Sequence, residues 1–399
     1  MNTLKNATPS LLRLDMHYIA MQIGYWAMFA GICAYQAALL QGRGFSNSDV
    51  GILIAVRCFA GIVSQPLLGG FADRHPNVPL KLIVSLSLVL SLGASLLLML
   101  PMGLWGTIGV FVILGGFELS AYPLMDSMAI QFINAGIKIR YSLGRGIGSM
   151  AFAVTCAVLG WQVAAAGVES TLITHAVLVA AVILLVATFP AYRAAPLPHG
   201  ETAEQPQSVL SLLRSNPRFT LMLVAILLGL TACMPMSNFM VNIVESRGGT
   251  SSDLGLALFL MGAFELPTAF LFSRLLGRFG SGRLLVMSMF FMGLKAIALM
   301  FAFNYLGVLA AQPLQMLGYG LFTPASVYFV NESVPPADRV RGQTIMMVAS
   351  NGLGGMMGGA VAGQVLDLGG VDMMLAVCIA LGIAATLLGA GALRVRKPK

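Results

Sequence analysis

Five ionised side chains interrupt runs of sequence that are otherwise apolar: Glu118, Asp126 and Arg145 early in the chain, Glu265 and Lys295 later. A charge inside a stretch long enough to cross a bilayer is costly, and it is retained where it meets an opposite charge or a water-filled path. Asp126 and Arg145 fall at comparable depth on successive apolar segments. Arg145 can offer a planar fork of donors to hydroxyls or a carboxylate while Asp126 accepts the remaining bonds, or the two can form a static ion pair. Glu265 and Lys295 make a second acid–base combination, either a fixed pair or a proton switch in which withdrawal of the cation lets the carboxylate take up a proton. Glu118 lies eight residues before Asp126, about two turns away. It can line the same path and share in proton coupling, or it can neutralise Arg57, which otherwise stands alone within its own apolar segment.

Uncharged groups complete the candidate site. Tyr25, Asn238, Gln315 and Tyr319 provide amides and phenols, and Phe152 a ring face, a combination suited to sugars, whose hydroxyls need donors and acceptors together. Each of them can equally serve as glue between helices. The four histidines, His17, His75, His175 and His199, are dispersed, without a nucleophile–base or metal-binding arrangement, so an enzyme is not expected. Cys33, Cys58, Cys156, Cys233 and Cys378 are odd in number and lack CxxC spacing, which indicates neither disulfides nor a metal. No cofactor is implied: the glycine run from Gly352 to Gly363 is a helix-packing surface, with no following Gly-Lys-Ser to hold phosphate. A net charge of +8 is spread singly through loops, which does not make a nucleic-acid surface.

These groups need helices to position them across a bilayer. Hydrophobic residues make up 58% of the 399 and charged residues 10%, the composition of a polytopic membrane protein. Runs of roughly twenty apolar residues predict twelve spans, the first near 16 to 40 and the last near 371 to 393. The only long polar connection divides six spans from six: residues 1–191 form an N-terminal half, 192–216 a linker and 217–399 a C-terminal half. Basic residues test the count. Arg43 and Arg247 fall on one side, Arg57, Arg145 and Lys295 fall inside spans, and the rest, including Lys5, Lys138, Arg193 and Lys397, gather on the other. By the positive-inside rule both termini and the linker are cytoplasmic, in a plasma membrane. The fold class expected is an all-α membrane protein, a monomer, with two six-helix halves able to rock about a central site.

Several motifs follow in order. Ser48-Asp49-Val50-Gly51-Ile52, then Gln65-Pro66-Leu67, lead to a loop running from Gly69 to Lys81. Gly69, Asp73 and Arg74 there can dock against a neighbouring helix end and latch one conformation. Pro123-Leu124-Met125-Asp126 precedes Tyr141-Ser142-Leu143-Gly144-Arg145-Gly146, and Glu265 is followed by Leu266-Pro267. In these motifs the chain resembles the major facilitator superfamily, and within it the oligosaccharide:proton symporters of the lactose permease branch, beside phenylpropionate permeases and sugar efflux proteins. The resemblance implies a twelve-helix major facilitator fold, sugar contacts at Asp126 and Arg145, ring stacking at Phe152, and a role in sugar contact and coupling for Glu265. Lys295 stands where that family has an arginine. Gln315 and Gly318 replace its span 10 His and Glu, and Pro235 and Asn238 its span 7 acids, so the family's proton route is not reproduced. The expectation is a secondary active transporter of a small solute, a sugar or related polar molecule, moved by alternating access with a proton. Efflux or uncoupled facilitation are the alternatives within the class. A channel fits less well, because two separated charge pairs suit a gated site and not a continuous pore.

Overall fold

The structure is a computed structural model that describes residues 11–137, 139–191 and 208–395. Residues 192–207 of the linker, with Arg193 and His199, and Lys5, Lys138 and Lys397 lie outside the described residues. No β-strand occurs among the described residues. Hydrocarbon offers no partner to a peptide N–H or C=O, so each span must satisfy its own backbone, and a helix does this within one segment.

The spans are α1 (Leu11–Gly42), α2 (Asn47–Arg74), α3 (Leu80–Leu98), α4 (Leu104–Asn134), α5 (Tyr141–Ala166), α6 (Ser170–Thr188) and α7 (Pro217–Asn238). The helices continue with α8 (Ser251–Ala263, then Leu266–Phe279), α9 (Ser281–Met300), α10 (305–333), α11 (339–369) and α12 (371–394); among the described residues nine helical runs, or ten with the bent α8, are long and apolar enough to cross a membrane, α11 and α12 counting as one run and α10 falling short of that measure. Gly370, at φ 70°, separates the last two within one continuous run, in a backbone conformation that favours glycine. Helix starts follow capping chemistry: Ser46 with Asp49 opens α2 and Thr250 with Asp253 opens α8, each a reciprocal capping box. These are the second spans of the two sixes, so the same device recurs at equivalent places. Part of the linker is ordered as a short helix, Val209–Ser215, capped by Ser208.

Three spans loosen into π-helical turns, at Leu114–Glu118 in α4, Met316–Gly320 in α10 and Val348–Gly354 in α11. An extra residue per turn breaks the hydrogen-bond ladder locally and is often found at functional sites. Each of these turns carries or adjoins a candidate residue.

The two sets of six helices meet along two seams. In the first, α2 lies on α11 so closely that a Cβ on Gly363 would stand 2.2 Å from the Asn47 oxygen, and one on Gly51 2.4 Å from the Gly359 oxygen. The seam continues past Cys58 against Gly355 and Ile62 against Gly352, and then ends: Gly69 and Gly70 meet nothing within 4 Å. In the second, α5 lies on α8 through Gly160 against Gly255 and Ala153 against Gly262. Asp367 reinforces the first seam by accepting from the backbone and side chains of Asn47 and Ser48 at the start of α2. Gln41 adds bonds to Asn47 and Asn242 across the same end. The close approaches of both seams therefore lie toward the face opposite Leu11 and Arg394, and on α2 they end before Gly69 and Gly70.

Overpacking a tight contact costs ~1–3 kcal/mol. The substitution Gly51→Val is expected to shift the closed-to-open equilibrium of the opposite face by about tenfold. Spin-label distances between Glu169 and Asp372, replaced by cysteine, will lengthen. Unchanged distances would mean that the seam does not hold that face shut.

Candidate functional site

In the first six helices the site is organised around Asp126. Its Oδ1 accepts from the Tyr18 hydroxyl at 3.0 Å and from Gln22 Nε2 at 2.8 Å, and its Oδ2 from the Tyr141 hydroxyl at 2.8 Å and Arg145 Nη1 at 3.2 Å. Four donors from α1 and α5 saturate the carboxylate, which is buried, so it acts as the post on which the wall is mounted. Arg145 is different. Its side chain is 43% exposed, and its guanidinium lies over Tyr122 at 5.3 Å and Tyr141 at 6.0 Å. The lipid-exposed stripe of α5 includes Leu143, Val154 and Trp161; Val154, nine residues on from Arg145, projects about 180° away from it. The free edge of the guanidinium therefore faces the space between the two sixes.

An aromatic wall adjoins it. Tyr122 stacks on Tyr25 at 5.1 Å and meets Trp26 edge-on at 5.2 Å; Phe152 contacts Trp26 and Phe29, each at 6.3 Å. Gly148 makes room for the indole, since a Cβ there would stand 2.5 Å from Trp26 Cδ1. Trp26, Phe29, Tyr122 and Phe152 each keep part of a ring uncovered. Tyr25 does not: it is buried and donates to the Glu118 backbone oxygen at 3.1 Å, so it supports the wall from behind.

In the second six, Glu265 sits where α8 breaks between Ala263 and Leu266. Glu265 and Lys295 are not a direct pair. Gln315 stands between them, its Nε2 donating to Glu265 Oε1 at 2.9 Å and its Oε1 accepting from Lys295 Nζ at 2.8 Å. An amide has one donor end and one acceptor end, so it can satisfy a carboxylate and an ammonium at once, and this corrects the expectation of an ion pair. Thr268 donates to the Met316 oxygen and Gly320 packs on Glu265, which seats the α8 break on the π turn of α10. Tyr319, on that turn, donates to Asn351 Oδ1 at 3.1 Å, on the π turn of α11. Asn238 ends α7, one turn before Asn242 of the closed seam, and so lies on the sealed side. Gly262, one turn before Glu265, touches Ala153 and Phe152, which brings the two walls together at the blind end of the space.

Glu118 does not share the path with Asp126. Eight residues advance a helix by about 80° beyond two whole turns, and Glu118 turns into the helix bundle, where Arg57 Nη2 donates to its Oε1 at 3.1 Å. The residues expected to act as a latch are undocked. Asp73 and Arg74 are exposed and form no ion pair among the described residues, and Gly69 has open space beside it.

Sequence reading singles out Gln22 among the polar groups of the first span but misses Tyr18, Tyr122 and Tyr141. Each lies four residues along a helix from another member of the set, Tyr18 from Gln22, Tyr122 from Asp126 and Tyr141 from Arg145. That spacing was the available signal. Replacing Gln315 by Leu removes a hydrogen bond from a buried charge at each end, so a loss of ~2–3 kcal/mol is expected. It is measurable as a lower melting temperature in detergent, and Gln315→Glu, which keeps an acceptor for Lys295 but puts a second carboxylate with no donor against Glu265, is expected to lower it as well.

The chain matches the model of the MFS_1 like family over residues 12–376. It is 26% identical over 388 residues to the maltose permease of Geobacillus stearothermophilus, covering 94% of this chain and 93% of that one. In solved structures it is similar to the nucleoside transporter NupG, with a TM-score of 0.81 at 16% identity over 96% of this chain and 100% of that one. It is also similar to a variant of the peptide transporter POT, with a TM-score of 0.69 at 15% identity over 96% of this chain and 93% of that one. Such identities carry the fold alone, and the fold they share is a helical membrane transporter. With the family model spanning most of its length, this chain belongs to the MFS_1 like family of major facilitator membrane transporters.

Proposed function

We propose that this transporter moves a small polar solute carrying a ring, a sugar by preference, by alternating access coupled to a proton. It does so in the plasma membrane with both termini in the cytoplasm. The observation that carries the reading is the uncovered aromatic wall beside the free edge of Arg145. A pyranose presents C–H groups on its faces and hydroxyls around its rim, so it stacks on rings and meets a fork of donors in the plane. In this reading Tyr319 and Asn351, bonded to each other, and Glu265 meet the solute from the second six helices, so that it touches both bodies. Residues 1–191 and 217–399 then rock about it, the open space toward the terminal face being the inward-facing state. The undocked Gly69, Asp73 and Arg74 close as a latch in the opposite state.

Glu265 is the proton carrier in this reading. Gln315 lies against the distorted π turn, where Gly318 has ψ −106°. A small movement of that turn withdraws the amide and with it the influence of Lys295, so the carboxylate gains a proton in one state and releases it in the other. A second reading, a nucleoside as solute, draws on the number of rings: Trp26, Phe29, Tyr122 and Phe152 give more π surface than one sugar ring covers. A binding panel of sugars and nucleosides on the purified protein separates the two.

Losing a hydrogen bond to a charged group costs ~1.5–3 kcal/mol, so Arg145→Ala is expected to weaken solute binding roughly tenfold to a hundredfold. Arg145→Lys, which lacks the fork, will restore little of it. Titration calorimetry with the best solute of the panel is the measurement, and unchanged affinity would remove Arg145 from the site. Glu265→Gln is expected to abolish uptake driven by a pH gradient while leaving solute counterflow in proteoliposomes. Equal loss of both would leave Glu265 without a proton role.

A further inference from the structure

Behind the aromatic wall, and away from the solute space, three ionisable side chains from three helices are sealed together. Glu118 of α4 and His175 of α6 have side chains that are 0% exposed, and Arg57 of α2 only 5%. Arg57 takes Glu118 Oε1, while Glu118 Oε2 faces His175 Nε2 at 3.4 Å, and neither of those two atoms has any other partner. The remaining groups turned toward the cluster are Tyr25 and Cys33 from α1, Cys58 beside Arg57 on α2, and Gln36, which accepts from Arg57 Nη1 at 3.3 Å. From α3, Ser95 lies within 2.8 Å of His175 Nδ1.

Ser95 decides where the protons are. Ser87, Ser91 and Ser95 each donate to the carbonyl four residues back, at 2.9, 3.0 and 2.9 Å. A hydroxyl has one proton, so with Ser95 following the same ladder it must accept from Nδ1–H of His175. The ring then turns Nε2 toward a carboxylate oxygen. A bare lone pair there would face negative charge in a dry interior, whereas a second proton would make a charge-assisted bond and satisfy both orphaned atoms. A rotation of the Ser95 hydroxyl onto Nδ1 gives the alternative state, a neutral ring that keeps its proton on Nε2. Both states are fully bonded, and they differ by one proton.

We propose that His175 and Glu118, with Ser95 as the rotor, form a proton-binding site inside the first six helices, distinct from Glu265, whose occupancy sets the position of α2. The link to α2 is geometric. Arg57 anchors one face of that helix to Glu118, and Gly115 lies so close that a Cβ would stand 2.2 Å from the Arg57 oxygen. The adjoining face carries Gly51, Ile54 and Cys58 of the seam with α11. Arg57 also underlies Phe29 of the aromatic wall at 5.2 Å, so the site touches the solute space through one ring. The inference rests on the alternating-access reading for its consequence, and not for the proton itself.

The test uses the full chain with His17, His75 and His199 replaced by Gln, so that His175 is the one histidine, labelled with nitrogen-15. Expected are nitrogen signals that exchange reversibly between a doubly and a singly protonated ring as pH is varied, and Glu118→Gln should abolish the doubly protonated form. A ring that stays singly protonated throughout overturns the proposal. In parallel, spin labels across the closed face should report a pH-dependent opening that Ser95→Ala and His175→Gln remove; opening that is unchanged in both variants also overturns it. If the nitrogen signals behave as expected but no solute is driven by a proton gradient, the proton-coupling reading of Glu265 fails and the His175 site stands.

Discussion

Hydrocarbon gives polar groups no partner, and this one constraint governs the architecture. The charges set deep within the spans, Arg57, Glu118, Asp126, Arg145, Glu265 and Lys295, each have a polar partner on another helix, and those partners tie the bundle together. Asp126 gathers four donors from α1 and α5, Gln315 connects α8 to α9 through α10, and Glu118 joins α2 to α6. Buried ionic groups of this kind add little net stability against a well-packed apolar core, but removing one partner leaves the other stranded. Their value here is positional: they determine which helix faces which, and so where the aromatic wall and the free edge of Arg145 must lie.

Within that frame the two sixes use opposite chemistry at their boundaries. Inside each, side chains interlock and polar groups are bonded. Between them, glycines bring backbones into contact along α2 with α11 and α5 with α8, surfaces that part without breaking a salt bridge. Asp367 and the Gln41–Asn47–Asn242 bonds add polar contacts only at the end reached by water, where separated groups are resolvated at small cost. A seam of this type is firm in one state and separable in another, which alternating access requires.

The π turns supply the irregularity that regular helices lack. They fall beside Glu118, at Gln315 and Tyr319, and at Asn351. A loosened turn offsets a side chain from its ordinary register and leaves backbone able to shift by a hydrogen bond. Pro123, Pro324 and the glycines from Gly352 mark these spans in the sequence as places where a helix can bend, but which residues form the wide turn is seen only in the structure.

Much was legible in the chain itself. Apolar runs, capping boxes at Ser46 and Thr250, and the side on which Lys and Arg gather are local properties, and hydropathy and backbone satisfaction turn them directly into spans. The preference of Glu118 for Arg57 was also readable, since an unpaired arginine in a span is so expensive. Tertiary structure alone decided the rest. That Gln315 stands between Glu265 and Lys295, that four donors saturate Asp126, and that His175 meets Glu118 all depend on the rotation of one helix about its axis relative to another. Spacing along a single helix carries no record of that angle, because it is set by side chains that interlock from segments distant in sequence.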